Sequence, residues 1–334
     1  MKYLYAPYNK ACPVCSHTKN KLLYKVSANE AARHFVVTHG LEAEKAATIA
    51  KKISSLWHAP EAAVVNCTNC GFAFADPFVA GDHEFYNLLP HATEGGAEYW
   101  KWEFDKTYKT IAAIAPANND LTLLEIGASN GDFIKRVAGI ILKKNMLCLE
   151  YSESGVSAIK KAGIEAQSRD FHELSQQQEF DQKFDIICLF QVLEHLDKLE
   201  ETFNTLKKIS KPGGHIFIGV PNGRKIKFNE LNDALLDMPP NHIGRFSKKS
   251  FALLGEKHGL EIDEIAVEPF TSLDVMKTVM FYQSLKRAQF PPVAETAAYR
   301  VKRYASIKYM RLQAIFLHKN LGDALWVHYR KPVA

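Results

Sequence analysis

The sequence contains no hydrophobic run long enough to cross a membrane. A membrane-spanning helix needs about 20 apolar residues in succession, and the best candidate, Val137–Leu142, is far shorter. The first residues, Met1–Tyr5, are followed by Pro7, Asn9 and Lys10 rather than by an apolar segment, so no signal peptide is expected. These absences predict a cytoplasmic protein with no membrane partner.

A large excess of one charge is also missing. The chain has 42 Lys and Arg against 37 Asp and Glu, a net charge of +5 over 334 residues, which is too small to indicate nucleic-acid binding by itself. Hydrophobic residues make up 47% and charged residues 24% of the chain, values typical of globular proteins, which excludes disordered and fibrous classes. At about 150 residues per domain, the length predicts two domains or one enlarged domain with an appendage.

Cysteine is scarce, and four of the six cysteines form two C-x-x-C pairs, Cys12-Pro-Val-Cys15 and Cys67-Thr-Asn-Cys70. Two such pairs within one short segment are typical of structural zinc, because four thiolates complete a tetrahedron. Free or redox-active thiols are the alternative. A site closed by four sulfurs has no open position for catalysis, so we predict structural Zn²⁺ bound by these four residues.

Hydrophobic patterning predicts the domain organisation. We expect a zinc-binding segment at 1–90, irregular apart from a helical insert at Ser27–Trp57, and a linking helix at 91–118. Residues 119–334 alternate short apolar runs with amphipathic segments, the pattern of βα units around a parallel sheet. A helical insertion at 269–322 interrupts this pattern before the last strand.

The α/β region is predicted to form a seven-stranded Rossmann-like sheet with helices on both faces. The predicted strands are Leu121–Ile126, Met146–Glu150, Ile164–Ser168, Phe184–Phe190, His215–Val220, Leu260–Val267 and Ala324–Tyr329. The predicted helices are Asp132–Lys143, Ser154–Ala162, Leu199–Ser210 and Lys248–Lys257.

A glycine-containing turn comes directly after the first predicted strand. Glu125 ends the strand, and Gly127 and Gly131 allow the backbone to approach a ligand. Such a turn alone can also be a tight βα connection without a ligand. However, Glu150 ends the second strand, where a carboxylate can accept hydrogen bonds from both hydroxyls of a ribose, and Asp170 comes after the third, within reach of an adenine edge.

In this order the motifs resemble those of the class I S-adenosylmethionine (SAM)-dependent methyltransferases. The resemblance continues through Phe184–His195, similar to the family's fourth strand and the start of its next helix, and through Lys211–Gly214, similar to the turn before strand five. Ser129 replaces the family's middle glycine. The resemblance implies that SAM is held by Glu125, Gly127, Ala128, Ser129, Gly131, Glu150, Tyr151, Asp170, Phe171, Phe190 and Gln191.

A dinucleotide-dependent dehydrogenase is the competing interpretation of the glycine turn. Its turn has three glycines, and the G-x-x-G continuation lets the backbone approach phosphates closely. That continuation is missing here, and a sulfonium nucleoside has no phosphate to bind. The methyl donor is therefore favoured.

The zinc segment ahead of this domain resembles the bacterial sugar methyltransferases, which carry a phrase like Cys70-Gly-Phe-Ala-Phe-Ala-Asp-Pro77 after the second cysteine pair. The C-methyltransferases of that group have a further C-terminal domain, whereas this chain ends soon after its seventh strand. We expect a sugar, nucleotide-sugar or related small metabolite as acceptor, with oxygen favoured over nitrogen or carbon. The alternatives are an RNA methyltransferase with a zinc-containing RNA-binding module and a non-catalytic interaction protein. The sequence leaves the oligomeric state open.

Two histidines are candidates for removing the proton of an acceptor hydroxyl, the usual task of histidine in such reactions. His242 lies in a proline-containing loop after the fifth strand and is the preferred base. His195, preceded by Glu194, is the second candidate, although it could simply anchor a helix. Glu194-His195 also resembles a metal-holding pair of some small-RNA methyltransferases, but Gln191 stands where those enzymes have an acid.

The predicted insertion is basic and rich in tyrosine. Such a surface could meet the diphosphate of a nucleotide sugar or an RNA backbone, although a solvated helical face is the commoner explanation. Tyr99 and Trp100 could close over the donor or the sugar, or could pack against the sheet. The basic residues are Lys277, Lys286, Arg287, Arg300, Lys302, Arg303, Lys308 and Arg311.

Overall fold

The computed structural model describes residues 3–89, 100–115, 120–235, 237–289 and 296–333. The chain forms two compact units. The first comprises Met1–His91, Pro221–Ser247 and Val267–Asp323, and the second comprises Ala92–Val220, Lys248–Ala266 and Ala324–Ala334. This division places the loop that carries His242, and most of the insertion, in the first unit, whereas the predicted boundaries place both with the seven-stranded sheet.

Twelve strands and eleven α-helices are present in the described residues. The strands are β1 Ala6–Asn9, β2 Lys19–Ser27, β3 Glu61–Asn66, β4 Ala73–Asp76, β5 Leu123–Ile126, β6 Met146–Leu149, β7 Glu165–Gln167, β8 Phe184–Phe190, β9 Ser210–Pro221, β10 Gly244–Arg245, β11 Glu261–Val267 and β12 Ala324–Arg330. The helices are α1 Ala28–Thr38, α2 Lys45–Trp57, α3 His83–Asn87, α4 Trp102–Ile114, α5 Asp132–Val137, α6 Glu153–Lys161, α7 Leu199–Ile209, α8 Gly223–Leu231, α9 Lys248–His258, α10 Ser272–Gln289 and α11 Ala297–Leu317.

The first unit contains an antiparallel sheet of order β1-β2-β3-β4-β10. The prediction of an irregular segment at 1–90 was therefore wrong. Strands β1 and β4 were missed because they have only four residues each, too few for a clear alternation of apolar and polar side chains, and the nine residues of β2 include three lysines. The last strand, β10, comes from a distant part of the chain and pairs Gly244 with Phe74 and Arg245 with Ala73.

Helices α1 and α2 replace the single predicted helix at Ser27–Trp57. α1 begins with a capping box in which Ser27 and Glu30 bond each other's backbone N–H, and the chain then turns at Gly40, where φ is +61° and glycine carries no steric penalty. The main core of this unit includes Phe35, Ile53 and Trp57.

The insertion is helical as predicted, and it consists of α10 and α11. They share a second core that includes Val275, Val279 and Met310. The predicted break at Pro291-Pro292 lies outside the described residues. No helix in the described parts of the chain is both long and apolar enough to span a membrane.

The second unit contains the seven-stranded sheet, in the order β11-β12-β9-β8-β5-β6-β7. All seven predicted strands are present, and β9-β8-β5-β6-β7 pair in parallel. The predicted α/β fold is confirmed. The predicted helix Asp132–Lys143 is shorter and ends at Val137. The helix at the start of this unit is described from Trp102, so the first part of the predicted linking helix lies outside the described residues.

Candidate functional site

The carboxyl ends of β5, β6 and β8 form one edge of the parallel sheet. Ile126 on β5 lies opposite Leu149 on one side and Leu189 on the other. From β5 the chain proceeds through β6 and β7 on one side, and it returns to β8 on the other. Ligands of open α/β sheets bind at such a reversal of strand order. Residues directly after these strands therefore share the position expected for a cofactor site.

The glycine turn after β5 has the backbone conformation that its sequence predicts. Gly127, Ser129 and Gly131 all have positive φ, of +72°, +50° and +79°. A Cβ atom at Gly127 would lie 2.4 Å from the Val192 Cγ2 atom. Glycine is therefore required at 127 for two reasons, the left-handed backbone and the close approach of the neighbouring side chain.

Glu125 lies beneath this turn with 2% of its surface exposed. Burial, together with the negative charge of Glu150, raises the pKa of its carboxyl group well above the usual value. No group in the described part of the chain donates a hydrogen bond to its Oε2 atom. A buried carboxyl oxygen without a protein donor is a place where a cation, a water molecule or a hydrogen-bond donor of a ligand can bind.

Glu150 directly follows β6, and its carboxylate organises the surrounding loops. Its Oε2 accepts a hydrogen bond from the Ser129 N–H at 2.7 Å. Its Oε1 accepts bonds from the N–H and the hydroxyl of Ser152, both at 2.9 Å. The neighbouring Tyr151 side chain is exposed. Glu150 thus joins the glycine turn to the start of α6.

Asp170 begins a short 3-10 helix after β7. Its Oδ1 accepts hydrogen bonds from the backbone N–H of His172 at 2.9 Å and from the His172 ring at 2.7 Å. The adjacent Phe171 is buried. His172, which the sequence did not single out, therefore orients the carboxylate predicted to approach the adenine.

Gln191 comes after β8 in a left-handed conformation, with φ of +58°. Its Nε2 atom donates a hydrogen bond to the buried Glu103 of α4 at 3.0 Å. Glu103 was not predicted, because a single acid in an amphipathic helix gives no local signal of such a bond. Phe190 lies in the core between Phe104 and Phe133, with ring centroids 4.9 Å from each.

Trp100 packs within the second unit rather than standing free. Its ring stacks on Phe133 at a centroid distance of 6.4 Å, and the Arg136 guanidinium lies 4.2 Å from its centroid. This supports the packing interpretation of Trp100. Tyr99 lies outside the described residues.

The histidine candidates fall in different units. His195 ends a 3-10 turn in the second unit, and its Nε2 lies 3.9 Å from Oε1 of the buried Glu194. His242 belongs to the first unit, and its Nδ1 lies 2.8 Å from Oδ1 of Asp237. Asp237 is five positions before His242 in an irregular loop, where no periodic pattern indicates that the two side chains meet.

Asp237 is buried, and burial alone would raise the pKa of its carboxyl group. The hydrogen bond from His242 and the positive charge of Arg245 outweigh burial and lower that pKa below its usual value. The Arg245 guanidinium also donates to the Asp237 carbonyl at 2.6 Å and pairs with Glu230 at 2.8 Å. The Asp237–His242 pair is therefore held by a buried ionic network within the first unit.

The four paired cysteines meet in the first unit. Cys12 and Cys70 have Sγ atoms 3.7 Å apart, and Cys15 and Cys67 have Sγ atoms 3.6 Å apart. All four sulfurs lie within 4.8 Å of one another. A tetrahedral Zn²⁺ with Zn–S bonds of about 2.3 Å separates its sulfurs by about 3.8 Å. The arrangement is compatible with the predicted zinc site.

The two cysteine pairs have matching backbone structures. In the first, the Cys12 carbonyl accepts from the N–H of Ser16 at 2.9 Å, and in the second the Cys67 carbonyl accepts from the N–H of Gly71 at 3.0 Å. Ser16 and Gly71 both have positive φ. Each tight turn directs two thiols to one side, which is the arrangement a tetrahedral metal ion needs.

The cations of the insertion are distributed unevenly. Lys277 pairs with Asp274 at 3.0 Å and Lys286 with Asp233 at 2.9 Å. α11 contains no acidic residue, and its basic side chains are exposed. They are Arg300, Lys302, Arg303, Lys308 and Arg311.

Comparison with known proteins identifies the family. Residues 99–265, half of the chain, match a family described as "Methyltransferase domain". Ubiquinone biosynthesis O-methyltransferase, mitochondrial, from Dictyostelium discoideum is 31% identical over 105 residues, covering 30% of this chain and 31% of that protein. The match thus spans about a third of that relative's length.

Two solved structures of low sequence identity are also similar to part of this chain. A SAM-dependent methyltransferase from Archaeoglobus fulgidus is 14% identical, with a TM-score of 0.43, and covers 68% of this chain and 94% of its own. A chain from the complex between the Haloferax volcanii Trm112 methyltransferase activator and a methyltransferase is 15% identical, with a TM-score of 0.45. The match covers 69% of this chain and 89% of that chain. The family match, the glycine turn and the strand-end carboxylates identify the chain as a member of the class I SAM-dependent methyltransferases.

Proposed function

We propose that the protein transfers the methyl group of SAM to a hydroxyl group of a sugar, nucleotide sugar or related small metabolite, with His242 as general base. The observation that carries this proposal is the 2.8 Å contact between His242 Nδ1 and the Asp237 carboxylate. An ionised carboxylate can only accept, so Nδ1 carries the proton and Nε2 of the neutral ring has the lone pair.

Bound SAM supplies a methyl group already activated by the sulfonium centre. The reaction forms a bond between the acceptor oxygen and the methyl carbon and breaks the carbon–sulfur bond. The hydroxyl proton then needs an acceptor, and His242 Nε2 takes it in the proposal. The carboxylate of Asp237 holds the ring tautomer and stabilises the imidazolium that results, so Asp237 is a positioning residue.

The residues assigned to SAM are those at the carboxyl edge of the second unit. Glu125 would receive the ammonium group, the backbone of the Gly127–Gly131 turn would line the donor, and Glu150 would accept from the ribose hydroxyls. Asp170, held by His172, is assigned to the adenine. Their contacts support these roles, because Glu125 has an unmet demand for a donor or cation and Glu150 lies beside the turn.

Zn²⁺ at Cys12, Cys15, Cys67 and Cys70 is part of the proposal as a structural ion. Four sulfurs at the observed spacing leave no position for a substrate, so the reaction takes no step there. Bound metal would protect the thiols from oxidation and join the two cysteine turns across 52 residues of sequence, from Cys15 to Cys67.

Two features support the acceptor class. The two cysteine turns and the phrase from Cys70 to Pro77 resemble those of sugar methyltransferases, and the relative from Dictyostelium is named as an O-methyltransferase. RNA is the second candidate acceptor, because α11 exposes five basic side chains without an acid. An RNA acceptor predicts strongly salt-dependent binding, whereas a neutral sugar does not.

The acceptor is tested with isotopically labelled SAM and a panel of nucleotide sugars, glycans and RNA, with mass analysis of the methylated product. A methyl ether on a sugar supports the proposal. Methylated RNA, or a methylated nitrogen or carbon atom, contradicts it.

The base is tested with His242→Ala, which we expect to lower kcat by about 10² to 10⁴ with SAM affinity nearly unchanged. Asp237→Asn should lower kcat less and shift the pH–rate profile, because Asn can no longer stabilise the imidazolium. His195→Ala is the control, since an anchoring histidine affects thermal stability more than turnover. If His195→Ala loses turnover and His242→Ala does not, His195 is the general base and His242 is the anchoring histidine.

A further inference from the structure

Three potential metal ligands lie side by side on neighbouring strands of the second unit. His215 is on β9, His328 on β12 and Asp263 on β11, and these strands are adjacent in the sheet order β11-β12-β9. His215 lies in register with Ile186, near the start of β8, and thus near the end opposite the SAM edge. The cluster is separate from the donor residues and from the four cysteines.

The ligand atoms converge. His215 Nδ1 lies 2.8 Å from His328 Nε2, and His328 Nε2 lies 3.7 Å from Asp263 Oδ2. All three atoms lie within 4.8 Å of one another. Nitrogen and oxygen ligands of a tetrahedral Zn²⁺, at bond lengths of about 2.0–2.2 Å, lie about 3.3–3.6 Å apart. The observed separations bracket that value, so small side-chain rotations would complete the geometry.

The surroundings favour neutral imidazoles and an oriented carboxylate. Burial, together with the neighbouring His215, lowers the pKa of His328 to about 4, and burial likewise lowers the pKa of His215. Metal ions bind the neutral ring. Asp263 Oδ1 accepts from Arg330 at 3.3 Å, which directs its other oxygen toward His328, the kind of outer contact that orients metal-binding carboxylates.

Packing also restricts the central ligand. The His328 ring stacks on Phe217 at a centroid distance of 4.3 Å, and the tilted His215 ring lies 5.0 Å from it. The side chain of Asp263 is 29% exposed, so an ion has access from solvent on the side of β11. Packing thus holds the His328 ring in place before a metal ion binds, and the exposed side of Asp263 lets the ion enter from solvent.

We propose that His215, Asp263 and His328 bind a divalent transition-metal ion of the zinc class, with a fourth position open to water. Two histidines and one carboxylate are a common ligand set for Zn²⁺. The ion would join β9, β11 and β12, which come from three separate parts of the chain. This proposal does not depend on the acceptor or on zinc at the cysteines.

The test measures zinc per chain by equilibrium dialysis and elemental analysis of the full-length protein, at a buffered excess of Zn²⁺. We expect the wild-type chain to hold one zinc ion more than His328→Gln. The difference is the informative quantity, because any zinc at the four cysteines is common to both proteins. Asp263→Asn, a nearly isosteric change, should weaken binding of the same ion at least tenfold.

His258→Gln is the matched control, because His258 is a buried histidine of the same unit outside the cluster. It should keep the full zinc content of the wild type. SAM binding by each variant confirms that the second unit is folded. Added Zn²⁺ should also raise the Tm of the wild type more than that of Asp263→Asn. Equal zinc content in wild type, His328→Gln and Asp263→Asn would overturn the proposal and leave a hydrogen-bonded histidine pair.

Discussion

Glu150 combines ligand binding with loop organisation in one side chain. Its Oε1 accepts two hydrogen bonds from Ser152, and its Oε2 accepts one from Ser129, which leaves Oε2 able to accept one more. One ribose hydroxyl can therefore bind without displacing the internal contacts. A substitution of Glu150 should therefore change both the affinity for SAM and the stability of the surrounding loops.

We predict that Glu150→Ala weakens SAM binding by about 1.5–3 kcal/mol, the usual value of a hydrogen bond to a charged group. Isothermal calorimetry measures the affinity, and the Tm without SAM measures the loss of the loop contacts. A lowered Tm with unchanged SAM affinity would leave Glu150 a purely structural role.

His34 is a buried histidine whose protonation should make the free energy of unfolding depend on pH. Burial, assisted by repulsion from His39 and His242, lowers its pKa from 6.5 to about 3 against the opposing charge of Asp237. The unfolded chain therefore binds a proton near pH 6.5 that the folded chain does not bind. The contribution of His34 to the free energy of unfolding is fully present above that pH and is lost progressively as the pH falls toward 3.

From this difference we predict that His34 alone reduces the free energy of unfolding by about 2 kcal/mol between pH 7 and pH 5. Urea unfolding at both pH values measures it, and His34→Gln should remove this part of the pH dependence. His58→Gln, a change at an exposed histidine, should keep the wild-type slope. An unchanged slope in His34→Gln would contradict the prediction.

At the scale of elements, the start of α6 packs directly against the glycine turn. A Cβ atom at Gly155 would lie 2.5 Å from the Ser129 carbonyl oxygen and 2.8 Å from Glu150 Cγ. The helix can approach the turn this closely only because the side chain is absent. Both groups that would be displaced belong to the region assigned to SAM.

Gly155→Ala is therefore expected to reduce SAM affinity by about fivefold or more, since forced overpacking costs about 1–3 kcal/mol. Ser157→Ala, on the exposed side of the same helix, is the matched control and should bind SAM as the wild type does. Calorimetric titration of both variants makes the comparison. If Gly155→Ala binds SAM with wild-type affinity, the glycine turn can shift to accept the added methyl group without affecting SAM binding, and the prediction is wrong.

At the scale of the whole molecule, the two units have separate cores, and the first is assembled from three parts of the chain. The cysteine turns belong to the same unit as β10 and the Asp237–His242 pair. Loss of zinc from this unit should therefore affect residues far from the cysteines in sequence.

We predict that Cys67→Ser, or removal of zinc by a chelator, destabilises the first unit while the second retains its sheet and its affinity for SAM. Hydrogen exchange should show lost protection at Lys19–Asn66 and also at Pro221–Ser247, with β5 and β8 protected as before. Elemental analysis should find the zinc of the four cysteines in the wild type only. A fully protected first unit without zinc would contradict the structural role of the metal.

The central strands of the second unit could be predicted because their signal is local. Buried parallel strands are short apolar runs, and β8, with Phe184–Phe190, is apolar at nearly every position. The glycine turn and the cysteine pairs were equally visible, since each depends on spacings of a few residues. In the first unit, β1 and β4 were missed because they have only four residues each, and β2, with nine, was missed because three lysines interrupt its apolar pattern.

The sequence by itself determined the chemistry of single segments: a donor turn at Gly127–Gly131, carboxylates at strand ends, and two pairs of thiols. Tertiary structure alone decided which distant segments share a unit and which side chains meet. β10 has two residues and becomes a strand only by pairing with β4, Asp237 meets His242 through a loop, and His215 meets His328 across 113 positions. Local periodicity reports the face that a residue presents, whereas partners far apart in sequence are selected by packing of the whole chain, which no short window of sequence contains.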